Sequence, residues 1–251
     1  LDISKDRGLQ GLTDVLGLEQ VPRRIEGYDI SHMQGTDNVA SMVVFENGIP
    51  DKASNRKFKM RLPGNNDFAH MEEAITRRCS QKNQKDWGLP DLFLIDGGKG
   101  QLASAIKARN AAGVNRPMIG LAKREEEIVV HLEKSCVSVS KLVLHKYNAI
   151  VNETEGFWLI LLPRNSDIVK LLQRVMDESH RFAVSYHSVL KGKRQTASAL
   201  DDIPGIGPTT RKKLIKAFGS LRAVQEAPPQ EIIAAIGQAK GILVAAHVGK
   251  K

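Results

Sequence analysis

The sequence predicts an α/β domain, a mixed sheet flanked by helices, followed by a small all-helical unit. Three observations carry that prediction. Three strand-like segments come first, close enough together to pair through hairpins. Short apolar runs then alternate with helical spacing, as βαβ units do. Residues 200–251 show no strand pattern and are rich in Ala, Ile and Gly.

Each element has its own reason. Residues 1–22 read as a short helix ending near Gly17, then a connector containing Pro22. Residues 24–30 read as a strand. Residues 39–47 are apolar and β-branched, a second strand, and Asn47-Gly48 is a turn signal. Residues 56–60 alternate basic and apolar side chains, as a third strand with one solvated face would. Asp67 to Arg78 has helical spacing, with Asn65, Asn66 and Asp67 as N-cap candidates. Leu92–Asp96 is a continuous apolar run, so it reads as a buried strand, and Gly97-Gly98 ends it. A helix over 101–112 and a buried strand over 118–121 follow. Residues 128–132, 141–145 and 157–162 are three further strand candidates. Residues 166–190 form a long amphipathic helix whose stripe holds Leu172, Val175, Met176, Ser179, Phe182 and Ala183. Residues 191–199 are basic and polar and read as a linker. The expected divisions are therefore 1–22, 23–190, 191–199 and 200–251.

Bulk properties narrow the function. A formal net charge of +9 favours polyanionic partners, although a generic basic surface would give the same number. Cys79 and Cys136 are far apart and form no CxxC pair, which argues against structural zinc and suits a reducing compartment. No long uncharged apolar run predicts a membrane helix, and no secretory signal opens the chain, so the cytoplasm is the expected location. The start at Leu1 reads as a fragment of a longer protein.

The chemistry gathers on carboxylates that end strands. Asp29 and Asp96 interrupt or terminate apolar strand sequence, where an ionised carboxylate is costly unless paired or bound to a cation. If the two strands are neighbours, both side chains converge at the sheet edge, and a divalent ion relieves their repulsion. Turn or helix capping is the competing role, above all for Asp96 before Gly-Gly. His180 lies one turn beyond Met176, at the margin of the buried stripe, where an imidazole can ligate a metal or simply pack. Asp67 is a further acidic candidate, with N-capping as its alternative.

These residues sit in motifs that co-occur in order. Gly27 to His32 reads Gly-Tyr-Asp-Ile-Ser-His. Gln34-Gly35-Thr36 precedes the run from Val39 to Phe45. Leu94 to Gln101 reads Leu-Ile-Asp-Gly-Gly-Lys-Gly-Gln. Leu121 to Arg124, Leu162 to Ser166 and Asp177 to Ala183 complete the set. From about residue 23 onward the sequence resembles the C-terminal half of the UvrC family, the nuclease subunit of bacterial nucleotide excision repair. The resemblance implies an RNase H-like domain followed by tandem helix-hairpin-helix motifs. It implies that Asp29, Asp96 and His180 are the catalytic, metal-holding set, and it places a further family acid on Asp67. It implies a metal-dependent DNA endonuclease that makes the 5′ incision beside a lesion. The 3′ nuclease domain and the UvrB-binding segment are expected to lie outside these residues, with the UvrB–DNA complex as partner of the full-length protein.

Two aspartates and an imidazole suit Mg²⁺ or Mn²⁺, the nitrogen tilting the preference toward Mn²⁺. Lys99, Lys123, Arg124, Arg164 and Arg181 flank the motifs and are candidates for gripping DNA phosphates, with solvated surface charge as the alternative. Lys99 stands out because Gly97–Gly100 precede a helix N-terminus. Ile203-Pro204-Gly205-Ile206-Gly207-Pro208, beginning after Asp202, looks like the turn of a helix-hairpin-helix. Gly205 and Gly207 would let the backbone turn and free N–H groups face a phosphate, with Arg211, Lys212 and Lys213 adding charge. A second hairpin is expected near 236–241 although it departs from that pattern, and Lys250 and Lys251 read as a frayed tail. Residues 129–156 read as an insertion or altered stretch with no function assigned. Two other functions fit the same residues: a hydrolase of RNA–DNA hybrids, and a DNA-binding scaffold that does not cut.

Overall fold

A computed structural model describes residues 6–32, 38–201 and 203–248, with backbone alone for 186–199 and 201. The Gln34–Thr36 motif, Asp202, Lys250 and Lys251 lie outside the described residues. The chain divides into two compact units, Leu1–Val184 and Ser185–Lys251.

The first unit is built on one nine-stranded sheet. Its centre is three parallel strands, β1 (Arg24–His32), β5 (Leu92–Asp96) and β6 (Met118–Ala122). Every residue of β5 is buried, which is why its sequence is an unbroken apolar run. Beyond β1 come β2 (Asn38–Glu46), then β3 (Ile49–Pro50) and β4 (Arg56–Lys59), both paired with β2. Asn47 and Gly48 both take left-handed backbone angles, φ 52° and 77°, and make the tight β2–β3 hairpin that their sequence signals. Beyond β6 come β7 (Glu127–His131), β9 (Phe157–Leu161) and, at the edge, β8 (Ile150–Thr154). These outer pairings are antiparallel, so the sheet is mixed.

Helices cover both faces. Helix α1 (Arg7–Leu16), capped by the Asp6 side chain, buries Leu9, Leu12, Val15 and Leu16 against β1, β2 and β5 together with α6 (Asp167–Asp201). The first helix, which ends at Gly17 as expected, is therefore part of the core, although the expected divisions set 1–22 apart from 23–190. On the other face lie α2 (Asp67–Arg78), the short α3 (Gln81–Trp87) and α4 (Lys99–Ala111). Arg78 at the end of α2 ties that helix to β1. Its Nε and Nη2 each donate to Glu26 at 2.9 Å, Nη2 also donates to the Gly88 carbonyl at 2.7 Å, and the Tyr28 hydroxyl donates to Glu26 at 2.5 Å. Arg78 and Glu26 are fully buried.

Three expectations change. Residues 141–145 are not a strand: α5 (Lys141–Lys146) is a helix that starts after Ser140. The stretch 129–156, expected as an insertion or altered stretch, is part of this unit: it holds most of β7 and all of α5 and β8, and β7 and β8 complete the sheet. The expected linker over 191–199 is helical, since α6 continues to Asp201.

In the second unit, α7 (Pro208–Phe218), α8 (Leu221–Glu226), α9 (Pro229–Ile236) and α10 (Gln238–Val248) pack around Ile203, Ile206, Leu214, Val224, Ile232 and Val244. Gly205, at φ 82°, turns the chain before α7, and Gly207 caps that helix. Gly237, at φ 91°, turns it between α9 and α10. Where the second hairpin is expected, α9 and α10 are thus joined by a glycine turn without the first turn's sequence.

Candidate metal centre

The parallel register of β1 and β5 pairs Tyr28 with Ile95, so the next residues, Asp29 and Asp96, sit side by side. Both are buried, 5% and 8% exposed. His180, on α6, approaches from above the sheet. Its Nε2 lies 3.1 Å from Asp96 Oδ2 and 3.7 Å from Asp29 Oδ2. One ligand-capable atom from each of the three lies within 4.8 Å of the others. Helix α6 comes this close because Gly27 has no side chain. A Cβ there would meet Val175 Cγ1 at 2.5 Å and Met176 Cε at 3.0 Å.

Charge is concentrated here. Burial raises the Asp29 carboxyl, a hydrogen bond shared with Asp96 and the charge of Asp96 raise it further, and His180 and Lys123 oppose them; it reaches about 7. Lys123, just past β6, places Nζ 3.0 Å from Asp96 Oδ2 and 4.0 Å from Asp29 Oδ1. Lys123, expected as a phosphate contact, thus lies against the two carboxylates.

Asp67 opens on the same cleft of about 360 Å³, whose walls include Asp29, Asp96, Gln101, Lys123 and Arg124. It does not cap α2. Asn66 does, accepting from the Ala69 amide at 3.1 Å, and Asp67 is free to reach His32 Nε2 at 2.5 Å. His32 and His70 were missed by sequence reading. With Asp67 they form a second set of metal-capable atoms within 4.8 Å of one another. The available signal was His32 closing the Asp29 strand and His70 one turn after Asp67.

The other basic candidates are engaged elsewhere. Lys99, the first residue of α4, donates to Glu155 at 3.0 Å and to Thr154 at 3.4 Å, in the β8–β9 turn. Arg181 is held by Glu178 at 2.6 and 2.7 Å, and Arg164 lies 3.8 Å from Glu125. In the hairpin unit, Arg211 Nε donates to the Ile206 carbonyl at 3.3 Å, while Lys212 and Lys213 are exposed. Lys240 of α10 donates to Thr210 of α7 at 3.2 Å, joining the two hairpins. Among the described residues no helix is long and apolar enough to cross a membrane.

Similar proteins place the chain in a family. Residues 13–184 match the family described as the UvrC RNAse H endonuclease domain, a span that includes 129–156. The UvrABC system protein C of Solibacter usitatus (strain Ellin6076) is 42% identical over 240 residues, 95% of this chain and 35% of that protein. The protein of the same name from Dehalococcoides mccartyi (strain CBDB1) is 43% identical over 241 residues, 93% of this chain and 35% of its own length. The chain thus spans about a third of the curated relatives it matches. Among solved structures, a Ciona intestinalis Endonuclease V in complex with inosine-containing DNA aligns at 11% identity and TM-score 0.40. That alignment covers 67% of this chain and 87% of that one, a likeness too low to carry inference. On the strength of the family match, this chain belongs to the UvrC RNase H endonuclease domain family.

Proposed function

We propose that this chain is the part of a DNA-repair excinuclease that hydrolyses a phosphodiester bond on the 5′ side of a lesion, using a divalent ion held by Asp29, Asp96 and His180. The observation that carries the reading is the convergence of those three side chains within 4.8 Å. The donor set fits Mg²⁺ or Mn²⁺. Two buried carboxylates supply hard oxygens, and one imidazole supplies the nitrogen that favours Mn²⁺. A bound ion of this kind lowers the pKa of water, polarises a phosphoryl oxygen and orients in-line attack.

The chain's own residues do the rest. Asp29 and Asp96, deprotonated, fix the ion at the sheet edge. His180 closes the set from α6, where it also stands ready to move a proton. Asp67 lies across the same cleft as a further acid. Lys123 and Arg124 line the approach and offer positive charge to a backbone phosphate. Lys99, Arg164 and Arg181 serve as outer phosphate contacts once their present carboxylate partners yield them. In the second unit, the turns at Gly205, Gly207 and Gly237 leave helix-start N–H groups to face DNA backbone, with Arg211, Lys212 and Lys213 adding charge. Such contacts position a duplex without reading its sequence. In the full-length protein the DNA arrives with UvrB, in the cytoplasm.

The test is plasmid nicking in Mn²⁺ alongside a DNA gel shift. Asp29→Ala should abolish nicking and leave the shift nearly unchanged. Metal-dependent cutting retained by that variant overturns the assignment. Preferential cleavage of an RNA–DNA hybrid would instead favour the hybrid hydrolase.

A further inference from the structure

We propose that His32, Asp67 and His70 form a second divalent-cation site, suited to a first-row transition ion such as Mn²⁺ or Zn²⁺, beside the carboxylate cleft.

Side chains alternate along β1, so His32 faces α2 while Asp29 faces α6. Asp67 and His70 stand three apart on α2 and share a helix face. A ligand-capable atom of each of the three lies within 4.8 Å of the others.

Two further observations point to an ion. His32 Nδ1 lies 2.7 Å from Asn38 Oδ1, which can only accept, so Nδ1 carries a proton. On a neutral ring Nε2 is then a bare lone pair, 2.5 Å from a carboxylate oxygen of Asp67. Two acceptors at that distance repel unless a proton or a cation lies between them. The second observation is His70, which is fully buried. Its Nε2 donates to the Leu62 carbonyl at 3.1 Å, and its Nδ1 has no hydrogen-bond partner among the described residues. Metal-bound histidines characteristically donate the other ring N–H to a carbonyl or amide oxygen, which fixes the tautomer. His32 donates in this way to Asn38 and His70 to Leu62, which leaves one ring lone pair on each. Asn38 is itself anchored, donating to the Gly64 carbonyl at 2.5 Å.

Two imidazoles and one carboxylate make a softer set than Asp29, Asp96 and His180, and they favour Mn²⁺ or Zn²⁺ over Mg²⁺. The two sets share no ligand, although Asp67 also lines the cleft of the first, so the variants that separate them are at His32 and Asp29 and leave Asp67 in place.

Counting bound Mn²⁺ per whole chain, by electron paramagnetic resonance of the free ion, tests it. The unaltered protein should bind two ions, Asp29→Ala one, His32→Ala one, and the double variant none. Asn38→Ala, which frees the His32 ring, should weaken one of the two sites about 10- to 100-fold. One ion in the unaltered chain, with His32→Ala unchanged, means that only a proton joins His32 to Asp67 and overturns the proposal. If Asp29→Ala keeps two ions while His32→Ala keeps one, this site stands and the Asp29 centre fails.

Discussion

If Asp29 holds an ion as proposed, its carboxyl group makes metal affinity depend on pH. Burial and the neighbouring Asp96 raise it to about 7, against an ordinary 3.8. A raised acid favours the folded state most when protonated. Its contribution to the metal-free protein is fully present below about pH 3.8 and is lost as pH rises through 7. Over that window it removes up to roughly 1.4 kcal/mol per pH unit. A divalent ion competes with the same proton. Mn²⁺ affinity, measured by calorimetry, should therefore climb by up to about tenfold per pH unit below 7 and flatten above it. An affinity that is flat between pH 5.5 and 7 would show that Asp29 is already ionised there. The two aspartates were legible in sequence because each breaks an apolar strand. His32 and His70 were not, because their meeting depends on a strand end and a helix start that only the folded sheet brings together.

At the scale of the element, α2 is the part whose placement the cleft depends on most. Its first turn carries Asp67 and its last carries Arg78, whose fork grips the buried Glu26 of β1. Removing one partner of a buried ion pair leaves an uncompensated charge. Arg78→Leu should lower unfolding free energy by about 3–5 kcal/mol in urea titration. A loss under 1 kcal/mol would mean that water or Arg24, which also donates to Glu26 at 2.9 Å, replaces the fork. Elements were legible where burial imposes a period. Strand β5, covered on both faces, reads as one apolar run. Helix α5 has only six residues, too few to show a helical stripe, and its Leu-Val-Leu core looks like strand. Strand β8 lies at the edge and is mostly exposed, so nothing forces alternation on Ile150–Thr154. The segment 191–199 has no apolar stripe, yet a helix closes its own backbone hydrogen bonds without one.

At the scale of the whole chain, part of the +9 charge is exposed on the second unit. Lys212 and Lys213 stand exposed on α7, on the hairpin that begins at Gly205. If both contact phosphates, changing the pair to alanine should weaken DNA binding uniformly across sequences. It should also reduce the slope of log affinity against log salt by about 2, roughly one per lysine. An unchanged slope would place the DNA path elsewhere. The loss of strand pattern after residue 200 marks a helical unit in the sequence, whereas the compact unit begins at Ser185, inside α6. The second hairpin was harder to see. It needs only the Gly237 turn and the close seat of Gly241 on Ile233, where an added Cβ would lie 2.5 Å from Cα, and neither requires the Pro-Gly-Ile-Gly string.

Gly27 carries a last consequence. It touches neither metal nor substrate, but the hydrogen atom it presents in place of a methyl group sets the thickness of the layer between sheet and helix. Both aspartates belong to the sheet, while His180 rides on the helix one turn past Met176. A bulkier residue at 27 would lift the imidazole away and leave the carboxylates where they are. If Asp29, Asp96 and His180 hold an ion as proposed, the set has a fourth member that is a dimension rather than a donor, and a variant there would be short of one nitrogen as well as strained against Val175.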